Sequence, residues 1–171
     1  MRTSFVVFAA AAAAIATVAC ARSSSPAGPS RPVDSFGTLN GAHVELTAEG
    51  GIAALSTTWR ATHDDRSFVY ARRHLCGTSC PAPMDSASGA LSAAAADSLF
   101  SVVWSLAPMN LRDDYGTTRG GADMFAYTLH ISFDGATKTV RADDGTMPDA
   151  MRQIVVILGA TIDSARARGK P

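Results

Sequence analysis

Residues 124–134 constrain this chain more than any other stretch. Phe125, Tyr127, Leu129, Ile131 and Phe133 fall on one side of an extended backbone. Ala126, Thr128, His130, Ser132 and Asp134 fall on the other. Five consecutive matches to a period of two specify an antiparallel strand with one face on a core and one toward water. Asp134-Gly135 supplies the tight turn, because both residues tolerate positive φ. Residues 137–143 return as the partner strand.

The remaining elements follow from weaker versions of the same signals. His43 to Ala48 alternates polar and apolar, and Gly50-Gly51 ends it. Residues 52–62 and 66–75 are rich in β-branched and aromatic side chains, with His63-Asp64-Asp65 as a polar turn between them, and they read as a hairpin. Ser92 is a suitable N-cap for a helix from Ala93 to Leu106, with Ala95, Leu99, Val102, Val103 and Leu106 as its stripe and Pro108 as its stop. A second helix starts at Pro148 with Met151, Ile154, Val155, Leu158 and Ile162 on one face. Arg166, Arg168 and Lys170 sit at its negative dipole end. The expected order is β-β-β-α-β-β-α. The fold class is α+β: an antiparallel sheet of about five strands with two helices packed on one face.

The 171 residues suffice for one ordinary domain. The first nineteen read as an export signal: Arg2 precedes an apolar run from Phe5 to Ala19, about fifteen residues against the roughly 20 that a membrane span needs. The run ends in Thr17-Val18-Ala19-Cys20, which resembles the bacterial lipobox, with Thr17 standing where an aliphatic residue is usual. On that resemblance Cys20 is acylated and holds the protein in a membrane of the cell envelope, the outer one where the host has two. The alternative is an ordinary secretory signal cut near Ala19 or Ala21. Residues 20–41 are rich in Ser, Pro and Gly and have little to bury, so they form a tether with a reach of roughly 25 Å. Residues 42–168 form the domain. The formal net charge is zero and there is no basic run, so nucleic acid is not an expected partner.

The chemistry-bearing residues are sparse. Cys76 and Cys80, in an exported protein, read as a disulfide. The alternative is a thiol-redox pair, although three intervening residues and Pro81 and Pro83 argue against it. His43, His63, His74 and His130 show no i, i+4 pairing, and His63-Asp64-Asp65 reads as a charged turn rather than a metal site. The pairs Asp113-Asp114 and Asp143-Asp144 fall in expected loops. No nucleophile motif or phosphate loop is present. No catalytic residue, cofactor or metal is therefore assigned, and the chain reads as a binding protein rather than an enzyme. Residues 107–123 exceed the usual 12–15 or so of a structureless connection. They combine Met109, Leu111 and Tyr115 with Arg112, Asp113, Asp114 and Arg119, a mixture suited to a protein partner.

One family shares several short motifs with this chain. Gly120-Gly121-Ala122-Asp123-Met124-Phe125-Ala126-Tyr127-Thr128-Leu129, the Asp134-Gly135 turn, Thr139-Val140 and Met147-Pro148 resemble the second half of emfourin. Glu49-Gly50-Gly51-Ile52 and Leu91-Ser92 resemble its Gly-Gly strand start and its first helix start. The likeness spans roughly residues 42–165. It implies a small inhibitor of protealysin and related thermolysin-like zinc metalloproteases. The export signal, the tether, Cys76/Cys80 and the residues up to Gly89 are additions to that pattern. The other expectation is a non-inhibitory interaction module of the envelope.

Overall fold

A computed structural model describes residues 39–75, 83–118 and 123–169. The strands are β1 (His43–Gly50), β2 (Leu55–Thr62), β3 (Ser67–His74), β4 (Asp85–Ala90), β5 (Phe125–Phe133) and β6 (Ala136–Asp143). The helices are α1 (Ala93–Ser105), between β4 and β5, and α2 (Asp149–Arg168), after β6. The sheet runs β4-β3-β2-β1-β5-β6, and every pairing between neighbouring strands is antiparallel. All described residues belong to one compact unit, Phe36–Pro171. The expected export signal, the expected tether up to residue 38, Cys20, Cys76, Cys80, Arg119 and Lys170 lie outside the described residues, whereas Leu39 and Gly41, expected in the tether, are tied to the domain, Leu39 against the core and Gly41 by its amide to Asp64.

The fold is α+β as expected, but the sheet has six strands rather than about five. The additional one is β4, with the sequence DSASGA. Its side chains are small and mostly exposed, so no hydrophobic alternation marks it. Its backbone is recruited by β3 through a six-pair register from Ser67↔Ala90 to Arg72↔Asp85. Tertiary pairing overrides a weak local preference here.

The β5–β6 hairpin forms as its pattern requires, with Asp134 and Gly135 at φ 49° and 75° in the turn. The register places Leu46 between Trp59 and Leu129, so the inward faces of β2, β1 and β5 align. Val44, Leu46, Ala61, Phe68, Leu129, Ile131, Phe133 and Val140 are buried beneath the helices. The helix α2 supplies Met151, Ile154, Leu158, Ile162 and Ala165. From α1, the Phe100 ring meets Phe133 edge-on, with centroids 6.1 Å apart, so both helices cover the same face of the sheet. The other face carries polar rows. Thr128, Thr47 and Thr58 align across three strands, and Arg60 Nε donates to Glu45 at 2.6 Å.

The expected stripe of α1 was rotated from the observed one. Ala96, Leu99, Phe100 and Val103 are the buried residues, while Val102 is exposed and Ala95 and Leu106 are half-buried. A run with apolar residues at nearly every position offers several candidate stripes, and packing selects one. The cap itself is as expected, with Ser92 Oγ accepting from Ala95 N at 3.2 Å. In α2 the stripe matches except that Val155 is half-buried.

Gly159 lies inside α2, and a Cβ there would meet nothing within 4 Å. Gly159→Ala should therefore stabilise the domain by about 0.5–1 kcal/mol, by restricting the unfolded chain and favouring helix. Urea unfolding checks this through a raised midpoint with an unchanged slope.

Candidate partner-binding surface

The segment after α1 does not stand free. Pro108–Asn110 makes one 3-10 turn. The chain then runs parallel to β6. Arg141 N donates to Asp113 O at 2.8 Å, and Tyr115 N donates to Arg141 O at 2.9 Å. Met109, Leu111 and Tyr115, expected as anchors for a partner, are half-buried and pack against the core. Arg112, Asp113 and Asp114 are exposed. The Arg112 guanidinium lies 4.5 Å from the Tyr115 ring centroid, and Lys138 pairs with Asp113. The hydrogen bond from Lys138, and then its charge, hold the Asp113 carboxyl below its usual pKa. The apolar half of this segment thus fixes the segment to the domain, and the charged half faces water.

Its far end is latched at Asp143. This carboxylate is 4% exposed and accepts from Thr118 N, from Thr118 Oγ1 at 2.9 Å, and from the amides of Gly145 and Thr146, both at 2.9 Å. Thr146 Oγ1 in turn donates to the Gly116 carbonyl at 3.0 Å. Desolvation of Asp143 acts to raise its pKa. The hydrogen bonds from Thr118 and Thr146 outweigh it and hold the value at about 2. A folded-state pKa below the unfolded one gives stability that is present above the unfolded value, 3.8. That stability should be lost as pH falls from about 4 toward about 2. Amide exchange at Thr118, followed through that window, should accelerate on acidification in the wild type. Asp143→Asn should remove this dependence.

Three exposed apolar side chains sit in connections at one end of the sheet. The register places Gly50, Leu55, His74, Asp85, Phe125 and Asp143 there. Ile52 projects from the β1–β2 turn and is 79% exposed. Leu75 follows β3, bonded through its amide to the Ala54 carbonyl, and is 44% exposed. Met84 precedes β4 and is 56% exposed. On the helix side of this end lies a cavity of about 300 Å³, lined by Trp59, Tyr70, Phe125, Tyr127 and Val155 with Arg72. Phe125 and Tyr127 are only half-buried, although the strand pattern assigns them to the same face as Leu129. Asp144 fixes both, accepting from Phe125 N at 2.8 Å and Tyr127 Oη at 2.9 Å. Burial, and then Asp144, push the Tyr127 hydroxyl up to about 12.

The remaining polar candidates are occupied locally. Asp64 accepts from Gly41 N at 2.8 Å and Asp65 from Ser67 N at 2.9 Å, so the turn acids cap backbone. His63 lies 3.1 Å from Asp97 and edge-on to Phe100. His130 Nδ1 bonds Thr139 Oγ1 at 2.8 Å. His43 sits on the polar face near Glu45, its pKa lowered by burial and then by Arg60. Among the described residues, no three His, Cys, Asp or Glu side chains come together as a metal would require. No described helix is long and apolar enough to cross a membrane.

Nothing in the sequence marks Ile52, Leu75 and Met84 as sharing one end of the sheet. They come from three separate connections, and only the strand register brings them to one end. The pairing of Trp59 with Tyr70 across β2 and β3 was partly visible as aromatic content in the hairpin. No protein-family model matches the chain, and no curated protein matches it.

Proposed function

We propose that the chain is an exported, lipid-anchored protein of the cell envelope that binds another protein through the apolar end of its sheet. One observation carries this reading: the end of the sheet that holds an aromatic-lined cavity also exposes Ile52, Leu75 and Met84 in the connections of its strands. Apolar groups gathered at a surface and rimmed by charge mark protein contacts, and aromatic anchors dominate their energetics. The latched segment 116–118 reaches the same end, while Arg112, Asp113 and Asp114 lie farther back along β6, beside Lys138 and Arg141. Acylation at Cys20 and the tether after it would hold this surface clear of the bilayer.

The emfourin-like motifs make a thermolysin-like zinc metalloprotease the favoured partner, with the chain as its inhibitor. The full chain titrated into such a protease at micromolar concentration should give a stoichiometric endpoint. Absence of inhibition, or steady cleavage of the chain, would remove the inhibitor reading. One observation favours the second reading, an interaction module without inhibitory action. The segment 107–118 is tied along β6 rather than projecting as an insertable loop. Crosslinking in membranes to an envelope protein other than a protease would support that alternative.

A further inference from the structure

The two edges of the sheet are treated differently. Residues 113–115 cover the edge of β6. The outer edge of β4 has no partner strand among the described residues. Leu91 N donates to Arg66 O at 2.7 Å, which fixes the alternation along β4. Asp85, Ala87 and Gly89 bond inward to β3, while the main-chain groups of Ser86, Ser88 and Ala90 point away from the sheet. The six residues of β4 also carry no lysine or proline, and their only charge is Asp85.

A groove of about 430 Å³ runs beside this edge on the helix side, lined by Phe68, Ala87, Gly89, Ala165, Arg166 and Arg168. Its floor is open because Gly89 has no side chain. A Cβ there would approach the Phe68 ring at 3.1 Å. One wall is fixed. Arg166 donates to Asp85 at 2.5 Å and to Asp163 at 3.0 Å, and its guanidinium carbon lies 3.6 Å from the Tyr70 ring centroid. Arg166 is therefore neutralised by two carboxylates. Arg168 is exposed and has no ion pair among the described residues, so the groove presents one uncompensated positive charge.

A bare edge gives an extended backbone its hydrogen bonds, and a groove on one side of that edge reads its alternate side chains. We propose that β4 receives an extended polypeptide segment as a seventh, antiparallel strand. An apolar side chain of that segment lies over Gly89, and a carboxylate beside it meets Arg168. This deepens, and rests on, the reading of the chain as a protein-binding domain, because it states how a partner segment is held.

The probe is the capped peptide Thr-Glu-Thr-Leu-Thr-Glu-Thr, added to the isotopically labelled full chain. Saturable binding is expected, with amide protection gained at Ser86, Ser88 and Ala90. Replacing the central leucine by glycine, or both glutamates by lysine, should weaken binding at least tenfold. Ser88→Pro removes an outward N–H without touching the β3 ladder, and should abolish binding. N-methylating the peptide on its edge-facing amides should do the same with the protein unaltered. A wild-type chain that binds the peptide but does not inhibit the protease would sink the inhibitor reading alone. No binding at millimolar peptide would overturn the proposal. So would equal binding by the N-methylated peptide, or a β4-dependent dimer that the peptide does not dissociate.

Discussion

Phe100→Ala should lower the unfolding free energy by about 3–5 kcal/mol, the range for removing a fully buried large aromatic side chain. Phe100 has no exposed surface and stands edge-on between Phe133, at 6.1 Å, and His63, at 5.4 Å. It therefore joins α1 to β5 and to the β2–β3 turn at once. Truncation removes the transfer free energy of the ring and leaves a cavity between elements that cannot collapse independently. Aromatic pairs of this geometry add about 0.5–1.5 kcal/mol beyond burial. Urea unfolding measures the loss directly, as a lower midpoint with an unchanged slope. A change under about 1 kcal/mol would mean that α1 does not pack on the sheet as described. Phe125→Ala is the useful contrast: its ring is half-exposed, so the same truncation should cost much less.

Gly50→Ala should be nearly as damaging, for a different reason. Gly50 has φ 137°, and a Cβ there would collide with the Met124 carbonyl oxygen and crowd Phe125 Cα at 3.2 Å. Backbone strain of about 1–3 kcal/mol adds to the displacement of the facing strand. We expect a total loss of about 2–4 kcal/mol on those grounds, read by the same unfolding measurement. The substitution should also disturb the proposed binding end, because Gly50 pairs with Phe125, which lines the cavity. A variant as stable as the wild type would show that β1 and β5 do not approach as closely as described at this end.

These two positions differ in how visible they were. The Gly50-Gly51 break was legible because glycine pairs end strands, although its cause, close approach of residues 124 and 125, was not. Phe100 was missed because α1 is apolar almost throughout, and only the position of Phe133 decides which side turns inward. The β5–β6 hairpin was legible to within a residue, because alternation and the Asp134-Gly135 turn specify the same register independently. The strand β4 was invisible because its Ser, Ala and Gly side chains carry no pattern, and β3 alone makes it a strand.

The candidate surface was legible only in part. The charge of Arg112, Asp113 and Asp114 could be read from the sequence and is exposed in the structure. The docking of Met109, Leu111 and Tyr115 on the core could not be read, because it depends on the Arg141 backbone accepting the segment along β6. Ile52, Leu75 and Met84 each look like an ordinary isolated hydrophobic residue in the sequence. Their placement at a common end of the sheet is a property of the register.

The most direct test of the binding surface is the affinity of the triple variant Ile52→Asp, Leu75→Asp, Met84→Asp for a thermolysin-like metalloprotease, beside wild type. All three side chains are exposed, so the unfolding midpoint should hardly move. We predict that the wild-type chain binds the protease and that the variant binds at least a hundredfold more weakly, about 3 kcal/mol, at unchanged stability. Equal affinity of the two proteins, or no binding by either, would contradict the assignment of this end of the sheet as the surface that grips the protease.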